Sequence, residues 1–202
     1  MYKYLKPVIS IDVFLNDCRH YENKGQTYDV SYPEFLKYFD NIKDDLTKHN
    51  LIIGINFTYG WMPTILDFCS EDFDKAVEIL NRAKDGNPLT VDQLIILKKL
   101  FNNSLVGTSK LLHFINPNKF AIWDSRVYRY LTGKEAYNHR IGSCEAYLEF
   151  LSFCEYLTQT DEYEVIHNSI CQKMGYSITK FRSAEMIMYL NGGKQEKICC
   201  DN

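Results

Sequence analysis

The chain has 202 residues, of which 46% are apolar and 14% aromatic, enough to bury the core of one domain spanning residues 1–202. It has no apolar run long enough to cross a bilayer, and its N-terminus lacks the apolar stretch of a signal peptide. We therefore expect a cytoplasmic protein without a membrane partner. The seven cysteines are scattered without the spacing of a zinc site or an iron–sulfur cluster, which predicts reduced thiols and no metal or other cofactor.

The chain opens with one irregular segment and one helical segment. Residues 1–30 are expected to contain either a short strand at Val8–Phe14 or an irregular N-terminal wrap. Residues 31–50 have Ser31 as a candidate N-cap and apolar side chains at helical spacing as far as Leu46. This spacing predicts a helix that buries one face in the core.

The next two segments are also predicted to be helical. Residues 51–68 are apolar but are interrupted by two glycines and a proline, which predicts two short helices with a bend at Tyr59–Pro63. The following segment has Ser70 as a candidate N-cap, acidic residues in its first turn and Gly86 as its stop.

The second half of the chain has clearer helix boundaries. Thr90 and Gln93 have the spacing of a capping box ahead of an apolar run. Three more helical segments follow residue 143, and the last two of them end at Gly175 and Gly192. Residues 194–202 are expected to be a loose tail. The fold class predicted is therefore all-α, with about eight to ten helices.

Basic residues gather in the middle of the chain. Residues 103–143 contain six basic side chains and two acidic ones, a local charge of +4, so a total of −3 leaves −7 for the remaining residues. The basic residues are Lys110, Lys119, Arg126, Arg129, Lys134 and Arg140, and the acidic ones are Asp124 and Glu135. A basic patch on an acidic protein indicates a polyanion site confined to one face. A chance fluctuation of charge is the alternative.

The stretch SLVGTSK predicts a tight turn at Gly107 with a helix directly after it. The N-terminus of such a helix presents unpaired N–H groups and the positive end of its dipole, which together suit a phosphate. Lys110, one turn into the helix, would add a positive charge. The same pattern also fits an ordinary connection between two antiparallel helices.

A single carboxylate, Asp124, comes directly after the apolar run Phe120–Trp123. The residues after Asp124 are predicted to form a helix that ends at Gly133. Aspartate is among the best N-cap residues, so a purely structural role for Asp124 is one interpretation. The other is a functional carboxylate placed beside a phosphate-binding turn. Lys119 and Arg126, which flank the motif, are candidate phosphate contacts, with solvated surface charges as the alternative.

The order helix, LVGTS turn, helix, short link and FAIWDSRVYRYL resembles the helix-hairpin-helix DNA glycosylases of base-excision repair, the adenine-excising branch in particular. The resemblance covers Leu89 to Gly133 and is carried by Phe120, Ile122, Asp124, Val127, Arg129 and Leu131. It implies a two-lobed, all-α domain in which Asp124 is the catalytic carboxylate. It also implies a hairpin that holds the DNA backbone, formed by Leu105, Val106, Gly107, Thr108, Ser109 and Lys110.

The family's order of elements also places a base pocket near INFTYGWMP. The candidates there are Asn56, Tyr59 and Trp61, with core packing as the alternative for the two aromatic residues. His113 and His167 lie among apolar neighbours on helical segments. We interpret both as core or surface histidines rather than as bases or metal ligands.

The sequence departs from the family pattern in three ways. The first hairpin glycine is replaced by Leu105, the link from hairpin to aspartate is about three residues shorter than usual, and the iron–sulfur loop of many relatives is missing. Bifunctional relatives carry a Schiff-base lysine at the position of Ser109. Lys110 comes one residue later, about 100° around the helix, and is predicted to point away from the pocket.

The resemblance therefore implies a monofunctional DNA glycosylase that uses water as its nucleophile, works as a monomer and needs no cofactor. Its expected partner is double-stranded DNA with an extruded, modified base, and defence against phage with modified DNA is one setting for that activity. A non-catalytic helix-hairpin-helix module that binds DNA or protein is the alternative. A purely structural helical domain, in which Asp124 only caps a helix, is the third interpretation.

Overall fold

The structure is a computed structural model that describes residues 2–23, 30–60 and 72–193. Within these ranges it contains eleven α-helices and no strand, so the predicted all-α class is confirmed, with one helix more than the upper estimate. The helices are α1 (Ile11–Arg19), α2 (Tyr32–Asp40), α3 (Lys48–Gly60), α4 (Phe73–Lys84), α5 (Val91–Lys99), α6 (Leu105–Ile115), α7 (Ser125–Thr132), α8 (Asn138–Ile141), α9 (Cys144–Thr158), α10 (Asp161–Met174) and α11 (Lys180–Asn191). None of these helices is long and apolar enough to span a membrane.

The helices form two groups, each built around one buried helix. Helix α6 packs against α2, α3, α4 and α5, whereas α11 packs against α1, α7, α9 and α10. Contacts between α5 and α9 join the groups, and α8 packs on α9. Because α6 and α11 lie inside, most of their side chains are buried, including polar ones that a surface helix would expose to water.

Several helix boundaries confirm the predicted signals. Thr90 and Gln93 form a complete capping box at the start of α5. Gly86, Gly133 and Gly175 follow the ends of α4, α7 and α10 with φ values of 81°, 64° and 78°. Glycine is favoured in this left-handed conformation because it has no Cβ to clash with the backbone.

The N-terminal segment differs from its predicted form. Residues 11–19 are a helix, so a strand at Val8–Phe14 is wrong. The Oγ atom of Ser10 caps this helix by accepting a hydrogen bond from the N–H of Val13, and Phe14, Leu15 and Cys18 then face the core at helical spacing. The short alternation of polar and apolar residues before Phe14 concealed this pattern.

Helix α2 ends at Asp40, earlier than the apolar spacing predicted. Leu46 is buried but lies in the connection to α3. The side-chain amide of Asn81 replaces helical hydrogen bonds there, because it accepts from the N–H of Leu46 at 2.6 Å and donates to its carbonyl at 3.0 Å. An apolar residue in a buried connection therefore looked like a continuation of the helix.

Helix α3 is continuous from Lys48 to Gly60. Gly54 does not interrupt this helix. Its role is in packing, since Phe39 and Leu111 approach the helix backbone closely at this residue. A Cβ at this position would lie 2.7 Å from the Phe39 ring and 2.9 Å from the Leu111 side chain. Most of the bend predicted at Tyr59–Pro63 lies outside the described residues. The second short helix, Ser70 and the tail 194–202 also lie outside them.

The N-cap of α4 is Asp72, and not Ser70 as predicted.

Gly107 does not form the predicted turn. The chain reverses before α6, where Asn102 and Asn103 have φ values of 51° and 59°. Ser104 is the N-cap of α6, and its Oγ accepts a hydrogen bond from the N–H of Gly107 at 3.2 Å. Gly107 is thus a buried residue in the first turn of a helix, and a Cβ there would lie 2.6 Å from the Phe101 ring. Glycine is needed here for close packing.

We predict that Gly107→Ala lowers the free energy of unfolding by about 1–3 kcal/mol, because the fully buried Phe101 has little room to move. The loss should be smaller when Gly107→Ala is introduced into a Phe101→Leu background, since the shorter side chain removes the clash. Chemical denaturation of the four proteins measures this coupling. Gly60→Ala is the matched control, because a Cβ there meets no atom of the described residues within 4 Å. Equal losses in both backgrounds would show that Phe101 does not explain Gly107.

Candidate functional site

The site is built on an extended link that joins α6 to α7 and runs back along α6. Phe120, Ala121, Ile122 and Trp123 are all buried in this link. An extended segment inside a helical protein has no neighbouring strand, so its peptide groups need other partners. Side chains of the neighbouring helices supply them, and the end of the link is thereby held in place next to α6.

Ser109 lies in the middle of α6 and is fully buried. Its Oγ accepts a hydrogen bond from the N–H of Trp123 at 3.0 Å and lies 3.2 Å from the Trp123 carbonyl oxygen. The Tyr147 hydroxyl donates to the Ala121 carbonyl at 3.2 Å, and the Trp123 indole N–H donates to the Ile141 carbonyl at 2.9 Å. These contacts fix the residue directly before Asp124.

His113 secures the start of the link. Its Nδ1 lies 2.7 Å from the Phe120 carbonyl oxygen, and its Nε2 lies 2.8 Å from the Tyr32 hydroxyl. A carbonyl only accepts hydrogen bonds, so Nδ1 carries the proton and Nε2 accepts from Tyr32. Burial, reinforced by the charge of Arg182, lowers the pKa of His113 to about 3. His113 is therefore a neutral core histidine, as its sequence context indicated.

Asp124 stands at the end of the link as the N-cap of α7. Only its Oδ1 caps the helix, accepting hydrogen bonds from the N–H groups of Arg126 at 2.8 Å and Val127 at 2.9 Å. Within the described ranges, no hydrogen bond engages Oδ2, and the residue is partly exposed. One oxygen thus anchors the carboxylate to the helix, and the second is left for another partner.

Lys110 is partly exposed on α6. Burial lowers the pKa of Lys110, while the charges of Asp124 and Glu185 act in the opposite direction. That Lys110 points away from the pocket stays a prediction. Ser109, the residue before it, is buried, and its hydroxyl bonds to the link.

Helix α11 contains a buried ion pair between Arg182 and Glu185. Arg182 Nη1 donates to Oε1 of Glu185, and the two side chains are only 8% and 2% exposed. The Arg182 guanidinium also lies over the Tyr32 ring, 4.6 Å from its centroid. Burial raises the pKa of Glu185 to about 7, although the neighbouring Arg182 acts in the opposite direction.

Sequence reasoning missed both residues of this pair. The signal was available in FRSAEMIMYL, where two charges of opposite sign stand three residues apart in an apolar helix. An arginine and a glutamate at this spacing share a face of the helix, and this face is surrounded by residues typical of a core. Charges on a buried face indicate either an internal ion pair or a functional site.

Most of the predicted hairpin is inaccessible to DNA. Leu105, Gly107, Thr108 and Ser109 are buried, and the Thr108 hydroxyl donates to the Ser104 carbonyl at 3.0 Å. These residues make the packing surface of α6 rather than a DNA contact. Of the predicted hairpin, the partly exposed residues are Val106 and Lys110. Residues 100–104 connect α5 to α6, and these two helices contact each other.

The two flanking basic residues have different environments. Lys119 is exposed at the opposite end of the link from Asp124, a span of five residues or about 16 Å at full extension. Arg126 is partly exposed next to Asp124, and its guanidinium lies 4.6 Å from the centroid of the Tyr189 ring. Of the two residues, Arg126 is the one placed directly beside Asp124 in the chain.

A groove of about 600 Å³ lies near the Lys119 end of the link, lined in part by Lys37, Lys43 and Lys84. Asp124 is not among the residues that line it. Lys43 and Lys84 also donate to the backbone carbonyls of Asp40 and Asp44. The basic groove and the candidate carboxylate are thus separate features of this surface.

The two base-pocket candidates among the described residues, Tyr59 and Asn56, are both engaged within the protein. Tyr59 is only 6% exposed, and its ring stacks on Phe101 at 5.6 Å, so it belongs to the core and cannot stack on a base as it lies. Asn56 is exposed, but its side-chain amide donates to the Ile52 carbonyl of its own helix. Trp61 lies outside the described residues.

The arrangement that remains is a carboxylate held through one oxygen at the start of α7, at the end of a buried link that side chains of α6 and α9 support. Such a carboxylate can stabilise a developing positive charge or orient a water molecule. Comparison of the sequence and structure with known family models, curated proteins and solved structures finds no match. The resemblance to DNA glycosylases therefore rests on the residues quoted above.

We predict a pH-dependent cost for His113→Gln. Its folded-state pKa of about 3 lies below the unfolded value of 6.5, so between these values the unfolded state binds more protons and stability falls as the pH is lowered. In the wild type this loss is about 2 kcal/mol between pH 7 and pH 5. The destabilisation caused by His113→Gln should therefore be smaller at pH 5 by about that amount. A difference between the two proteins that is independent of pH would mean that His113 is not held neutral.

Proposed function

We propose that the protein is a DNA glycosylase that hydrolyses the N-glycosidic bond of an extruded base and leaves an abasic site. The observation that carries the proposal is the arrangement of Asp124. Its Oδ1 is held by two N–H groups of α7, whereas no hydrogen bond from the described residues engages its Oδ2. A carboxylate that served only as a helix cap would not need the rigid, buried support of the link before it.

The chemistry requires a fixed negative charge. Breaking the bond between base and sugar develops positive charge on the deoxyribose, as in glycoside hydrolysis. Two N–H groups at the start of α7 hold the Asp124 carboxylate in a fixed orientation by donating hydrogen bonds to Oδ1. The ionised Oδ2 would stabilise the developing charge or orient the attacking water.

The DNA contacts proposed from sequence need revision. Since most of Leu105 to Ser109 is packed inside, backbone contacts must come from partly exposed groups. Arg126 and Lys110 are both partly exposed and would contact the phosphates of the extruded nucleotide. Lys119 would contact a phosphate farther along the strand. A modified base remains the proposed substrate, with phage DNA as its source, by analogy with the family alone.

The nucleophile is proposed to be water. Ser109 stands at the position where bifunctional relatives carry a Schiff-base lysine, and its hydroxyl is bonded to the buried link. A second candidate is an enzyme in which Lys110 itself attacks C1′ and later cleaves the strand. It is favoured by the observation that Lys110 is partly exposed and that burial lowers its pKa.

The alternative of a different class is a non-catalytic module that binds DNA or protein. It is supported by the role of Asp124 as an N-cap, which needs no catalytic function. Incubation with DNA that carries varied modified bases, followed by alkali to cleave abasic sites, separates the two functions. Strand cleavage after alkali requires a glycosylase, whereas binding without cleavage supports the module.

Asp124→Asn should abolish base release and leave folding and DNA binding nearly unchanged. Asparagine is as good an N-cap as aspartate, so α7 keeps its cap, but the amide cannot stabilise positive charge in the transition state. Base release is measured in single-turnover assays, and the free energy of unfolding and DNA affinity in parallel. Asp72→Asn, at the N-cap of α4, is the matched control and should keep full activity. Normal base release by folded Asp124→Asn would refute the mechanism.

Borohydride trapping distinguishes the two nucleophiles. With water as the nucleophile, borohydride present during turnover should trap no covalent protein–DNA adduct, and strand breaks should arise only after alkali. Lys110→Gln should then retain single-turnover base release to within about tenfold, since it removes a charge but no reacting atom. An adduct that forms with the wild type and disappears in Lys110→Gln would establish the second candidate instead.

A further inference from the structure

Three planar side chains gather around the short helix α8. The ring of Tyr137 is nearly parallel to that of His139, with an angle of 12° between the planes and 6.0 Å between the centroids. The Arg140 guanidinium lies over the same tyrosine ring, 5.1 Å from its centroid. Tyr137, His139 and Arg140 are called the α8 platform below.

The platform lies on the surface of the protein. Tyr137 is 56% exposed, His139 is also exposed, and Arg140 is partly exposed. A single exposed tyrosine is ordinary on a protein surface. Two parallel rings and a guanidinium that are held together outside the core are not explained by the packing of the domain.

The backbone that carries the platform is fixed at both ends. The Arg140 guanidinium donates a hydrogen bond to the Glu135 carbonyl at 3.0 Å. The amino group of Lys98, on α5, donates to the Gly142 carbonyl at 2.7 Å. Because these bonds hold the segment before any ligand binds, little conformational entropy would be lost on binding.

The platform is also connected to the candidate site. The carbonyl of Ile141, the residue after Arg140, accepts a hydrogen bond from the Trp123 indole N–H at 2.9 Å. Trp123 is the residue directly before Asp124. One buried side chain therefore joins the backbone of the platform to the link that presents the candidate carboxylate.

The segments that form this surface are basic. Residues 98–99 and 134–145 contain four basic side chains and two acidic ones in a chain whose net charge is −3. The basic ones are Lys98, Lys99, Lys134 and Arg140, and the acidic ones are Glu135 and Glu145. The Glu145 carboxylate already accepts a hydrogen bond from the Ser143 hydroxyl at 2.9 Å. A local excess of positive charge on an acidic protein attracts polyanions to this surface.

We infer that the α8 platform binds an unpaired nucleic-acid strand, whose bases stack on the rings while its phosphates meet the surrounding basic side chains. Aromatic rings and arginine planes beside basic groups are what proteins use to bind such strands. A paired duplex hides the faces of its bases in its own stack, and an acidic peptide would leave the rings of the platform unused. The inference goes beyond the proposed function, since a protein without base release could bind a strand in the same way.

Fluorescence anisotropy of labelled strands of about twelve nucleotides, at low salt, measures the binding. The probes are oligothymidylate, oligouridylate and a strand of the same length in which abasic spacers replace the thymidines. The first two share ring faces and phosphates, so the tighter of them shows whether DNA or RNA is preferred. It should bind at least about fivefold more tightly than the abasic strand, which has phosphates but no bases. Equal affinities, or no binding of any strand, would overturn the inference.

Tyr137→Ala locates the binding surface. It should weaken the binding of the preferred strand by about 5- to 150-fold, because it removes the ring on which a base stacks. Tyr137→Phe keeps the ring and should bind like the wild type. Tyr156→Ala is the matched control, because Tyr156 on α9 is also 56% exposed, and its affinity should be unchanged. An unchanged affinity in Tyr137→Ala, or an equal loss in Tyr156→Ala, would contradict the inference.

A competitor without bases tests the other class of polyanion. Polyglutamate that carries the same number of charges as the labelled strand should displace it poorly, because it offers no ring to stack on the platform. Displacement as effective as that by the unlabelled strand would make this surface a site for acidic peptides, against the inference.

Base release from duplex DNA separates the inference from the proposed function. If Tyr137→Ala binds unpaired strands as tightly as a wild type that releases base, the inference fails and the proposed function stands. A wild type that binds the strands as expected but releases no base would refute the proposed function and support the inference.

Discussion

An extended segment in the interior of a helical protein must bond its peptide groups to side chains, and the candidate site depends on this constraint. The link Phe120–Trp123 is buried on all sides, yet it has no strand beside it. A buried peptide group without a partner costs about 1–3 kcal/mol, so several such groups would exceed the margin of a typical domain. Ser109, His113 and Tyr147 provide the missing partners. Because these residues lie on rigid, buried helices, Asp124 is presented at a fixed position.

The same constraint commits almost all of α6 to the interior. Gly107 lies against Phe101, and Ser109 and His113 bond to the link, while Lys110 is partly exposed. Most of the residues that the family resemblance assigned to DNA binding therefore have structural roles. The order of elements on which the resemblance rests is present in the structure: a helix, a short link and a carboxylate at the start of the next helix. These are the features on which base chemistry in such a fold would depend.

Local signals predicted the fold well where they were complete. The capping box at Thr90 and the glycines after α7 and α10 act within one turn of helix, so neighbouring residues suffice to identify them. Gly54 and Gly107 were misread because their role is set by Phe39 and Phe101, which are remote in sequence or lie in a preceding turn. A glycine selected for close packing and one selected for a turn look alike in a sequence. Only tertiary contacts distinguish them.

The position of Ser109 shows how the site differed from expectation. Position-by-position transfer from the family assigns this position to the pocket, whereas in the structure its hydroxyl bonds to the buried link at Trp123. The charged pair of α11 was beyond transfer altogether, because it lies outside the segment that resembles the family. It lies on a helix that packs closely against α7, where the carbonyl of Gly192 accepts a hydrogen bond from Arg129 at 3.2 Å. Burial of two charges is tolerated there because Arg182 and Glu185 are each other's partner, so the ion pair and the packing of α11 depend on each other.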